Sequence, residues 1–354
     1  MRYITMRQAK EGMVLGKALY GSLGDLKLQK GVVLTEGVIK KLLELNFCGL
    51  YIQDAFSEGI EIKDVISEKT RTNVTNSVRK LMSNTTSKRS IAFLEDMAEL
   101  SEVLDRIIDE ILSSDSMIFN IIDLKEFDSY TYQHSVNVCV LSCVIGIALK
   151  LPRRRLKLLA TAAILHDIGK VFIDKDLLNK PGKLTAEEFD VMKSHSMLGY
   201  ECLKAQTHLS STVTVSILYH HEKYDGNGYP HGKKENEIPR FSQIITVADV
   251  YDAITSKRPY HEAIVPSEAY EFVMGNAGKS FCPEIVEVFS KKIAPFPLGF
   301  QVELSNGMEG IVWRNHEDCL TRPLIKLTSD SDQEFLDLRN DMSAYNITIK
   351  RIIT

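Results

Sequence analysis

The chain has 354 residues, more than one small core needs, so two or three domains are expected. Apolar residues make up 44% and charged residues 25%, an ordinary globular balance, and the net charge of −4 leaves no basic footprint for polymeric nucleic acid. Apolar residues never run unbroken for the roughly 18 positions a membrane span needs, and MRYITMRQAKEG lacks the apolar stretch of a secretion signal.

Residues 1–56 read as a small α/β module. MVLGKALYG and KGVVLTEG alternate short apolar runs with glycines, which predicts short strands and tight turns. VIKKLLELNF has helical spacing from Val38 to Phe47, with Cys48-Gly49 as its stop, and GLYIQD reads as a closing strand. No catalytic constellation falls here, so a docking or regulatory role is expected. Residues 57–112 are helical by their three- and four-residue apolar spacing in SVRKLMSN and FLEDMAELSEVLDRIIDEIL, with a polar break at Asn84 to Ser90. Such helices suit coupling to an input module, homodimerisation, or packing as the first helices of the next domain, and the sequence leaves all three open.

Residues 113–295 read as an all-α bundle. YTYQHSVNVCVLSCVIGIALKL is an apolar helix carrying His134. Cys139 and Cys143 share one of its faces, a pattern of core packing. The other cysteines, Cys48, Cys202, Cys282 and Cys319, are scattered without a CxxC pair, which predicts free thiols and a reducing cytoplasm. Pro152 opens a helix that ends at His166-Asp167, and the basic run Leu151 to Lys157 reads as a solvated corner between helices. TAEEFDVMKSHSMLGYECL has Thr185 and Glu188 placed as a capping box and carries His195 as one helix. VTVSILYHHEKYDG ends in His220-His221 before a glycine-rich turn, and PRFSQIITVADVYDAITS carries Asp249. A His-Asp pair closing a buried helix is costly unless something neutralises it, and a metal ion is the usual compensation. These separate motifs therefore read as one metal centre. Residues 296–354 read as a small β appendage, with an Asn306-Gly307 hairpin turn and Trp313 in its core. The fold class is mainly α: an all-α core between a small α/β module and a small β unit.

The order His134, His166-Asp167, His195, His220-His221, Asp249 resembles the HD superfamily of metal-dependent phosphohydrolases. HHEKYDGNGYP, ending in Gly228-Tyr229-Pro230, resembles the HD-GYP subgroup, and ITVADVYDAITSKRPY is similar to that subgroup's last signature. The likeness covers residues 130 to 289. It implies an HD-type bundle and a cytoplasmic phosphodiesterase that hydrolyses cyclic di-GMP to the linear dinucleotide or GMP through a hydroxide bridging two metal ions. The resemblance places His134, His166, Asp167 and Asp249 on one ion and Asp167, His195, His220 and His221 on the other. Histidine and carboxylate ligands suit iron or manganese, with zinc as a further candidate. Residues 1–56 resemble the small module often found before HD-GYP domains.

Lys170 follows Asp167 by one turn, so it can face the same cleft and contact a phosphate; otherwise it is an exposed helix-end lysine. Arg258 is expected to hold the second phosphate of a cyclic dinucleotide, or else to form a surface ion pair. Asp225 and the loop Gly228, Tyr229, Pro230 are expected to shape the substrate pocket. Where some family members carry a glutamate four residues before the first histidine that supports a third metal, this chain has Tyr130, and Glu126 lies two turns from His134, so two ions are expected. His261 stands where a lysine or arginine commonly follows the RPY, which weakens phosphate contact at one end. His208, His231 and His316 match no motif and are expected at the solvent. Two other functions fit less well: a receptor that holds cyclic di-GMP without turnover, which a complete ligand set disfavours, and an HD phosphohydrolase acting on another cyclic dinucleotide.

Overall fold

The computed structural model describes residues 1–21, 24–85, 90–114, 130–206, 209–256, 263–328 and 334–353. The first unit holds β1 (Arg2–Thr5), β2 (Val14–Leu15), β3 (Leu19–Tyr20), β4 (Leu26–Leu28), α1 (Glu36–Glu44) and β5 (Gly49–Gln53). An antiparallel sheet in the order β1-β5-β2 stands beside the β3-β4 pair. Thr35 caps α1 by accepting from the Val38 amide. The helix ends earlier than its apolar spacing predicts, because Asn46 takes a left-handed conformation at φ 57° and the Phe47 amide turns back to the Leu42 carbonyl at 3.1 Å. Gly49 serves a different purpose from a helix stop. A side chain there would collide with the Tyr3 ring and the Ile4 carbonyl across the β1–β5 pair.

Next come α2 (Glu68–Thr85) and α3 (Ser90–Leu112), followed by α4 (Tyr130–Ala148) and α5 (Arg153–Leu165). The apolar stripes of α2 and α3, including Val74, Val78, Leu100 and Ile107, are buried in one core with α4 and α5. Of the three roles open to these helices, packing is the one displayed. α4 is apolar on nearly every side and sits in the middle of that core, Cys139 and Cys143 included. The basic corner is exposed, as expected, and pairs with α3: Arg153 with Asp105 and Asp109, and Lys157 with Asp105.

After α5 a 3-10 turn (Ile168–Phe172) leads to α6 (Lys175–Leu178), α7 (Ala186–Lys193), α8 (His195–Gln206), α9 (Ser211–Leu218), α10 (Arg240–Thr255), α11 (Pro266–Gly275) and α12 (Pro283–Ser290). The predicted capping box opens α7, with Thr185 and Glu188 bonding each other's backbone amides. The expected single helix through His195 is broken at Ser194, whose amide and hydroxyl both donate to the Val191 carbonyl and tighten the turn.

The last unit is an antiparallel sheet in the order β10 (Ile349–Ile352), β6 (Gln301–Leu304), β7 (Glu309–His316), β8 (Cys319–Leu327), β9 (Phe335–Asp337). Gly307, at φ 85°, makes the expected β6–β7 turn. His316, expected at the solvent, instead pairs with Asp337 of β9 at 2.9 Å, at the end of β7 where its register against β8 shifts. Trp313 is half-buried and lies at the junction with the first unit. Its ring meets Gly59 and the edge of Phe335, with the Lys326 ammonium above it. The same junction stacks Tyr3 on Phe300 at 4.4 Å and bonds the Tyr3 amide to the Gly299 carbonyl at 2.9 Å. All six cysteines are free thiols. Among the described residues no helix is long and apolar enough to cross a membrane.

A candidate metal centre

The expected ligand residues converge from separate helices on one buried point. His134 comes from the first turns of α4, His166 closes α5, Asp167 follows it, and His195 opens α8. His220 and His221 follow the end of α9, and Asp249 comes from the middle of α10. His134 Nε2 lies 3.1 Å from Asp249 Oδ1 and 3.7 Å from Asp167 Oδ2. His166 Nε2 lies 3.3 Å from Asp167 Oδ2, and His195 Nε2 lies 3.4 Å from Asp167 Oδ1. The ring nitrogens of His220 and His221 approach His195 Nε2 at 3.4 and 3.2 Å.

Three of these rings are aimed by the same device. A helix leaves its last carbonyls without intrahelical partners. The Nδ1 atoms of His166, His195 and His220 donate to the carbonyls of Ala163, Met192 and Ile217 at 2.7, 2.7 and 2.6 Å, each three residues back on the helix just ended. That bond fixes the proton on Nδ1 and leaves the Nε2 lone pair pointing into the cluster, the arrangement a metal ligand needs.

Close packing brings Asp167 and His195 together. The 3-10 turn after Asp167 lies so near α8 that a Cβ on Gly169 would stand 1.8 Å from the His195 carbonyl oxygen. Gly199, on the facing side of α8, keeps the approach open. Lys170 sits on the same turn, partly exposed, with its ammonium 2.6 Å from Asp167 Oδ2.

Electrostatics keep both carboxylates ionised and three of the rings, His195, His220 and His221, neutral. Burial pushes Asp167 upward, but Lys170 and His166 overturn this and hold it well below the usual carboxylate range. Asp249 is held low in the same way by His134. Burial, followed by neighbouring rings, lowers His220 to about 3 and keeps His221 low. Burial also lowers His195. His134 goes the other way: burial opposes its charge, yet bonds from Asp249 and Asp252 outweigh burial and raise it to about 9.

The Gly228-Tyr229-Pro230 loop is built against the candidate ligands. Tyr229 lies over His221, ring centres 4.7 Å apart, with its amide donating to the His221 carbonyl at 3.2 Å. Gly228 permits this, since a Cβ there would stand 2.2 Å from the Lys223 nitrogen. Arg258, His261, Glu126 and His208 lie outside the described residues, as does the Tyr130 side chain. His231 is exposed, as expected.

Residues 116–285 match the family model described as "HD domain". The chain is 36% identical over 232 residues to the cyclic di-GMP phosphodiesterase PA4108 of Pseudomonas aeruginosa, across 66% of this chain and 56% of that protein. It is 35% identical over 207 residues to a cyclic di-GMP phosphodiesterase of Thermotoga maritima, across 56% of each. The chain thus spans little more than half the length of these relatives. A solved structure, the HDG"Y"P protein Bd1817 from Bdellovibrio bacteriovorus, shares the fold at a TM-score of 0.54 and 18% identity, over 81% of this chain and 97% of that one. Residues 116–285 thus carry an HD domain.

The donor set of this HD domain fits a divalent metal. His166 Nε2 and Asp167 Oδ1 are buried without any hydrogen-bond partner, a costly state for each that bound cations would relieve. Two residues that the sequence did not single out support the domain's ligands. Asp252, one turn after Asp249 on α10, places Oδ2 2.7 Å from His134 Nδ1. Glu222, buried beside the paired histidines, accepts from the His231 and Lys233 amides at 2.8 and 3.1 Å and ties down the Gly228-Tyr229-Pro230 loop. Both sit inside motifs already recognised, HHE and ADVYD, and that adjacency is the signal that could have found them.

Metal binding by the HD domain should depend on pH through His134. The proton this ring holds below about pH 9 must leave before Nε2 can bind a cation, so affinity rises with pH. The expected gain is about tenfold per pH unit while His134 stays protonated, flattening above its pKa. Calorimetric titration of the metal-stripped protein from about pH 6 to about pH 10 measures it, and a pH-independent affinity would contradict the His134 assignment. Gly169→Ala should force the 3-10 turn away from α8, destabilise the fold by about 1–3 kcal/mol and lower metal content. Chemical denaturation with metal analysis checks both.

Proposed function

We propose that this chain is a phosphodiesterase that hydrolyses cyclic di-GMP, using two divalent ions, iron or manganese. The observation that carries the proposal is the position of Asp167. It belongs both to the cluster Asp167, His195, His220, His221 and to the cluster His134, His166, Asp167, with ligand atoms in each within 4.8 Å of one another. Its Oδ1 faces His195 and its Oδ2 faces His166 and His134, as a carboxylate shared by two ions would. Asp249, 3.1 Å from His134 Nε2, joins the first set. The relatives named cyclic di-GMP phosphodiesterases support the choice of substrate.

Two bound ions would supply a nucleophile near neutral pH and stabilise charge on the leaving oxygen. Lys170 reaches from the Asp167 carboxylate toward the surface, and we assign its ammonium to a substrate phosphate. Tyr229 walls the pocket beside His221, its phenol kept protonated because burial and then Asp249 push it up. Gly228 and Pro230 hold that wall in place, and Arg258 is assigned to the second phosphate. Tyr130, at the position of a third-metal glutamate, favours two ions and hence the linear dinucleotide over complete breakdown to GMP.

Asp167→Ala should abolish hydrolysis and lower bound metal, because one lost side chain removes a ligand from each ion. Turnover and metal counting on anaerobically purified protein test this, with a panel of cyclic dinucleotides as substrates. Full metal content at a near-normal rate would refute the shared carboxylate, and cleavage of another cyclic dinucleotide without cyclic di-GMP would refute the substrate. Lys170→Ala should keep its metal and lose at least about tenfold in rate, roughly 1.4 kcal/mol of transition-state stabilisation. Normal turnover would reduce Lys170 to a surface residue.

A further inference from the structure

Behind His134 the hydrogen bonding does not stop at Asp252. While Asp252 Oδ2 meets His134 Nδ1, its Oδ1 accepts from Asn137 Nδ2 at 2.9 Å. Asn137 Oδ1 in turn accepts from Arg71 Nη1 at 2.6 Å. His134 and Asn137 are three apart on α4 and share a face, Asp252 is on α10, and all three are buried. Arg71 is partly exposed and comes from α2, outside the residues 116–285 that match the HD domain.

We propose that Arg71 is a positioning residue for the metal centre, so that α2 completes from outside the family domain the hydrogen-bond chain that orients His134. This rests on the metal centre described above. The argument is one of direction. An asparagine amide can present either its oxygen or its nitrogen with almost the same shape. Only the nitrogen can donate to Asp252; the oxygen would set two acceptors face to face. A guanidinium has donors and no acceptor, so Arg71 holds the Asn137 oxygen to itself and turns the nitrogen to Asp252. Asp252, held on that side, keeps its other oxygen on His134 Nδ1. His134 Nε2 is then left facing Asp249 and Asp167.

The test is manganese(II) binding to the metal-stripped full chain, read by calorimetry beside the thermal midpoint of the same stripped protein. Arg71→Met keeps the aliphatic length and removes every donor. Arg71→Gln keeps polarity but can turn either end of its amide to Asn137, so it no longer fixes the direction. Arg71→Lys still only donates. The Met and Gln variants should bind manganese about 10- to 100-fold more weakly, and the Lys variant should bind within about threefold of the wild type, with the midpoints of Gln and Lys alike. Gln and Lys are both long and polar, so their contrast decides the matter even if the Met variant does not fold. Wild-type binding by Gln, or a Lys variant that falls with it, overturns the proposal. A wild-type chain that binds no manganese overturns the metal centre itself, a separate and recognisable failure.

Discussion

A carboxylate with almost no access to water organises this molecule. Asp167 is buried at the meeting point of several helices, and an ionised acid there costs several kcal/mol unless its surroundings answer it. The answer is assembled from several helices: a lysine one turn on, the rings of His134, His166 and His195, and a second acid, Asp249, that shares His134. No single helix could supply this. α4 runs through the middle of the core as a nearly uniform apolar rod, and the histidines that follow the ends of α5, α7 and α9 gather at one buried cluster. The bundle is a device for bringing helix ends to one place.

Ending helices there solves two problems with one group. A terminated helix inside a protein leaves carbonyls that want donors, and a ligand histidine wants one nitrogen committed so that the other is available. His166, His195 and His220 each satisfy both by reaching back three residues. His134 lies within a helix, where the carbonyls are already taken, and so it needs a carboxylate from another element. This explains why the support behind His134 is long and non-local while that behind the other three is one residue deep.

The same contrast accounts for what the sequence disclosed. That His134, His166-Asp167, His195, His220-His221 and Asp249 come together was legible because each sits in a short motif of its own and the motifs follow in order. So were the Pro152 start of α5, the Thr185–Glu188 capping box and the Asn306-Gly307 hairpin, all settled by neighbours in the chain. Features set by contact across the fold were not legible. The break at Ser194 accompanies the approach of Gly169 to α8, and the pairing of His316 depends on how β7 and β9 lie. Asp252 was passed over because two acids one turn apart on α10 look equivalent until one knows which faces the ions and which faces α4. Arg71 is 66 residues from its partner Asn137, and its spacing reports only that α2 is a helix. The end of α1 is a milder case: a left-handed asparagine closes the helix before the glycine that composition suggested.

The stacking of Tyr3 on Phe300 has a consequence for how the chain comes to be folded on the ribosome. The partner of the first strand's aromatic side chain is synthesised nearly three hundred residues later, so the first module emerges with that face bare. The helical bundle, whose contacts are mostly nearer in sequence, can close in the interval. Every residue of the bundle is therefore made before Phe300 can reach the opening module. A nascent chain stalled before Phe300 would hold the ligand cluster complete and still present an uncovered aromatic surface to its surroundings, which marks it as unfinished to any chaperone that reads apolar exposure.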